Sequence, residues 1–84
     1  MSDIVLLKEI DVRKTLVSEY ENTGVLNRVA SIETINSFYS FALSKYICFN
    51  NLDVFTLCAS PTPILVRILK IQIEILESEL FEEI

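Results

Sequence analysis

Residues 64–76 read ILVRILKIQIEIL, nine aliphatic side chains in thirteen positions, and Ser-Pro-Thr-Pro stands directly in front. Such a stretch could be an alternating strand, a membrane segment or a helix. Alternation holds only locally, where Gln72 and Glu74 separate Ile71, Ile73 and Ile75. The pairs Leu65-Val66 and Ile68-Leu69 break it, and Leu76 and Leu80 fall out of step. On helical spacing, Val66, Leu69, Ile73, Leu76 and Leu80 make an unbroken 3-4-3-4 stripe, and Ile64, Ile68, Ile71 and Ile75 make a second. Arg67, Lys70, Glu74 and Glu77 share a polar lane, which a strand would not produce. Proline suits a first helical turn, where its missing donor costs nothing, so Thr62 is the expected N-cap with Pro63 at the first helical position. The stretch is therefore a helix over about residues 63–81.

Two apolar stripes on one helix call for two partners, because a helix at a monomer surface normally has one apolar face. In a heptad frame Val66, Ile73 and Leu80 fall at a, with Leu69 and Leu76 at d, the preference of parallel two-stranded coiled coils. The expectation is a sandwiched helix. One face lies against its own domain, and the Val66, Leu69, Ile73, Leu76, Leu80 stripe meets another chain. The competing reading is a central helix buried on both faces. Size bears on the choice: a chain of 84 residues buries only about 60–65% of its unfolded surface, and 51% hydrophobic composition leaves apolar area to cover. A homodimer or heteromer is expected.

Glycine occurs only at 24 and proline only at 61 and 63, too few for the many turns of an all-β fold. Without repeats or linkers, residues 1–84 read as a single all-α domain of three to four helices. Over residues 3–22, Leu6, Ile10, Val17 and Tyr20 recur on one side, Ser2 offers a cap, and Asn22-Thr23-Gly24 is a stop signal. A short strand over Asp3–Ile10 is the alternative. A second stripe runs Ile32, Ile35, Tyr39, Ala42, Tyr46 and Phe49, with Ser31 as its cap and Asn50-Asn51 as its close. Residues 53–59, capped by Asp53, suit a short packed helix or turn. Phe38, Phe41 and Phe55 join the tyrosines in an aromatic middle third that is expected to be core.

The formal net charge of −5 is unevenly placed. Residues 1–70 carry seven acidic and seven basic side chains, and the whole excess is Glu74, Glu77, Glu79, Glu82 and Glu83 in residues 71–84. Negative charge at a helix C-terminus opposes the macrodipole, so helix stability does not account for it. It is either a solvated end or an acidic contact surface for a basic partner. No basic stripe exists to neutralise phosphates, which argues against nucleic acid. The longest charge-free run, between Asp53 and Arg67, contains both prolines and falls short of the roughly 20 apolar residues of a membrane span. Asp3, Lys8 and Glu9 around a four-residue apolar run do not form a signal sequence, and a cytoplasmic protein is expected. Peripheral membrane attachment would call for a basic polar face, which is missing.

Chemistry is sparse. With no histidine there is no imidazole base and no Cys-His or Ser-His pair. Two cysteines, Cys48 and Cys58, do not make a usual zinc site and are expected as small buried hydrophobes. Arg28 and Lys45 read as isolated surface cations, and no phosphate-binding glycine loop is present. No catalytic residue, metal or cofactor is expected. The reading is a non-catalytic protein-binding protein, adaptor- or chaperone-like, that self-associates or holds an apolar segment of a partner. The alternative is an acidic inhibitor of a basic protein surface, of the immunity-protein, antitoxin or phage anti-host type.

Overall fold

A computed structural model describes residues 3–41 and 54–82, and these form four helices with no strand among them. They are α1 (Asp3–Thr23), α2 (Arg28–Phe41), α3 (Val54–Ala59) and α4 (Thr62–Glu82). Ser2, Ala42, Lys45, Tyr46, Cys48, Phe49, Asn50, Asn51, Asp53 and Glu83 lie outside the described residues.

Local chemistry accounts for the helix ends. α1 is helical from Asp3 onward, so the strand alternative over its first residues is not adopted. It stops where Gly24 takes a left-handed backbone (φ 77°) and its N–H donates to Tyr20 O at 2.8 Å. The Thr23 hydroxyl adds a bond to Glu19 O at 2.7 Å and accepts the Val25 N–H at 3.1 Å. The cap of α2 lies four residues before the expected Ser31. Asn27 is the cap: its Oδ1 accepts the Ala30 N–H at 3.1 Å, and its carbonyl accepts the Ser31 N–H at 2.9 Å. Asparagine and serine are both good caps, so the competition between them could not be decided by residue type. At α4, Pro61 O accepts the N–H groups of Ile64 (3.0 Å) and Leu65 (3.3 Å). The cap position is thus Pro61 and not Thr62, and Pro63 sits one place further in, still within the turn that needs no donor from it.

α4 is the centre of the fold. Lys14 pairs with Glu77 at 3.1 Å and Glu21 with Lys70 at 3.6 Å, so α1 runs antiparallel to α4. Arg28 reaches Thr62 while Gln72 reaches Ile35, so α2 runs parallel to α4. Between these neighbours α4 buries Leu65, Val66, Ile68, Leu69, Gln72, Ile73 and Leu76, an arc of about 160° at 3.6 residues per turn. Leu6, Ile10, Leu16 and Val17 of α1, Leu26, Ile35 of α2 and Leu57 of α3 complete the core. The accessible surface, 5230 Å², is close to the roughly 5,100 Å² that mass scaling gives for a monomer of this size. The chain is thus about as compact as a folded protein of its mass.

Candidate interaction surface

The stripe expected to meet a partner lies inside this core. Val66, Leu69, Ile73 and Leu76 are buried, and Leu80 is partly buried and packed against them. The second stripe is not an opposite face but the edge of the same one: Ile68 is buried, Ile71 and Ile75 are half-buried, and Ile64 is 39% exposed. The two lanes sit close enough around the helix for α1 and α2 together to cover the first and lap onto the second.

The acidic residues separate in the same way. α4 stays helical to Glu82, so most of the acidic end belongs to an ordered helix. Glu74 is exposed, and Glu77 is half-buried against Lys14. Glu79 is half-buried and engaged. Arg67, Lys70 and Glu74 point to solvent. With Pro63, Val66 and Ile71 they line an open groove of about 310 Å³ along the outward side of α4.

Three expectations about single residues are corrected. Cys58 is exposed, because α3 is a six-residue helix that turns Leu57 inward and the next position outward. Phe55 is 87% exposed and does not join the core. Arg28 is half-buried, not a free surface cation. Its guanidinium donates to Ser60 O at 2.6 Å, Cys58 O at 3.2 Å and Thr62 Oγ1 at 3.1 Å. A cation there neutralises the carbonyl end of α3 and ties it to the start of α4. Leu57 from within and Arg28 from the side hold α3 in place, so Phe55 is displayed on a fixed element. Val25 (70% exposed) and Val29 (71% exposed) bracket Arg28 in sequence, at this same end of the molecule. Ile4, Val5, Leu7 and Val12 are the exposed large aliphatics of α1.

The principal polar structure, Arg13, escaped the sequence reading. Its side chain is fully buried. Nε donates to Gln72 Oε1 at 3.0 Å, Nη1 to Glu9 O at 3.0 Å and Glu9 Oε2 at 2.7 Å, and Nη2 to Thr34 O at 2.9 Å. Gln72 Nε2 donates in turn to Ile35 O at 3.2 Å. One guanidinium thus joins α1, α2 and α4. Burial pushes its pKa below the ordinary value, while the hydrogen bond and charge of Glu9 push it back up. The signal was present in the spacing. Arg13 fills the gap between Ile10 and Val17 in α1's apolar lane, and Gln72 lies between α4's two aliphatic stripes, with Ile68 at i−4 and Leu76 at i+4. A polar residue set in each of two packed apolar faces needs a partner, and the other is the nearest one available. Ser31, by contrast, is buried with a hydroxyl that has no hydrogen-bond partner among the described residues.

Comparisons with protein-family models, curated proteins and solved structures return no match. No helix of the described residues is long and apolar enough to cross a membrane.

Proposed function

We propose that this chain is a non-catalytic protein-binding module that engages an apolar segment of a partner at the end of the molecule around Phe55, Val25 and Val29. The observation that supports this most is the exposure of Phe55 on a helix anchored by Leu57 and Arg28. A side chain carried on a helix leaves less backbone to order on binding than one on a loose loop, and aromatic anchors dominate interface energetics. The partner surface expected on α4's inner stripe thereby moves to the corner of α2 and α3, since the inner stripe serves the chain's own core.

The test is affinity capture from native lysate with the wild type and with Phe55→Asp and Val29→Asp. Both variants should stay folded with little change in melting, since both side chains are exposed and an acid in the first turn of α2 is favoured by the helix dipole. Capture of the specific partner should be lost in both and should persist at high salt in the wild type. Binding that disappears with salt and with Glu74→Gln, while surviving Phe55→Asp, would instead support the acidic-inhibitor reading.

A further inference from the structure

We infer that the outward lane of α4 is a self-complementary surface on which a second copy of the chain docks antiparallel. The inference rests on the reading of the protein as an association module but uses a different face, so the two can fail separately.

The order of charges along the lane carries the argument. Arg67 and Lys70 come first, and Glu74 and Glu77 follow. Within the helix, like charges stand three apart in each half, where neighbours repel, and only Lys70 and Glu74 stand as opposite charges at i,i+4. Lys70 and Glu77 find partial relief through Glu21 and Lys14 of α1. Arg67 and Glu74, both exposed, form no ion pair within the described residues. A second α4 laid antiparallel, with the two-fold axis passing between Lys70 and Ile71, brings each Arg67 to the other copy's Glu74. A parallel copy would stack like on like.

The apolar content fits the same geometry. Pro63, Val66 and Ile71 line the groove together with the charged residues. Ile64 and Ile71, on the side of the lane toward α2, remain partly uncovered. A two-fold contact uses one patch twice, so each copy supplies both the cationic and the anionic half. One helix face per copy falls at the low end of interface sizes, below about 1,200 Å² in total. The dimer is therefore weak, concentration-dependent and salt-sensitive.

Sedimentation velocity on the full chain across a concentration series, at low and high salt, reads this directly. The wild type should dimerise at high concentration and low salt. Arg67→Glu and Glu74→Arg should each weaken dimerisation about tenfold or more, because symmetry applies each reversal twice. An equimolar mixture of the two single variants should restore a dimer, since the heterodimer regains both opposite-charge pairs, and the double variant R67E/E74R should dimerise as the wild type does. Circular dichroism of each variant should match the wild type. A wild type that stays monomeric throughout, a dimer indifferent to both reversals, or a mixture that fails to re-form one would overturn the proposal. Each of these results leaves the Phe55 surface untouched, whereas Phe55→Asp should not shift the dimer.

Discussion

Arg13 shows how much one residue can do in so small a core. Its guanidinium has no exposed surface and is satisfied by Glu9, Thr34 O and Gln72, which come from three helices. Gln72→Leu would leave Nε without its acceptor, and a buried donor to a charged network that loses its partner costs about 1–3 kcal/mol. That loss should appear in urea unfolding as a lower midpoint with an unchanged slope. Replacing the side-chain members together, Arg13→Met with Gln72→Leu and Glu9→Gln, removes both charges along with the need for acceptors. Exchanging a whole buried polar set is often neutral, so the triple variant should recover most of the stability. If it instead showed the sum of the separate losses, the network would not be a coupled unit.

At the scale of the helices, caps decide boundaries. α2 starts at Arg28 because the Asn27 side chain satisfies an N–H that has no intrahelical acceptor. Asn27→Ala should therefore cost about 1 kcal/mol. Ser31→Ala should cost nothing or stabilise slightly, because the hydroxyl it removes is buried and without a partner. Thermal melts of the two variants side by side check this, and the reverse ranking would make Ser31 the cap. α4 was readable over nearly its whole length, about 63–81 against Thr62–Glu82, because a Pro-Thr-Pro start and sustained apolar spacing are both local signals. Its neighbours were not readable in the same way. Nothing in α4's own sequence says whether α1 and α2 will cover one stripe, the other, or the edge between them.

For the molecule as a whole, the central question is where α4's aliphatic surface goes. Val66, Leu69, Ile73 and Leu76 face α1 and α2. Each large aliphatic buried there contributes roughly 1.5–3 kcal/mol. A domain of this length has only about 4–13 kcal/mol in total. Ile73→Asp or Leu76→Asp should accordingly abolish the cooperative thermal transition of the monomer, as read by circular dichroism. A folded variant that merely failed to associate would return the stripe to an interface. Outside the core the charge is balanced through residue 70 and acidic beyond it, and Glu77 spends its share on Lys14 of the same chain.

Short-range chemistry is enough to establish that this chain is helical, where α1 stops and where α4 begins, since glycine's left-handed turn, proline's missing donor and a 3-4 apolar spacing act within a few residues of themselves. It also marks Arg13 and Gln72 as polar intruders in apolar faces. Which lane turns inward, whether Phe55 and Cys58 are covered, and what Arg28 holds depend on helices distant in sequence. Periodicity belongs to one helix, but burial belongs to a pair, so only the packing of α1 and α2 on α4 could decide that its a/d stripe builds the core and its charged lane faces outward.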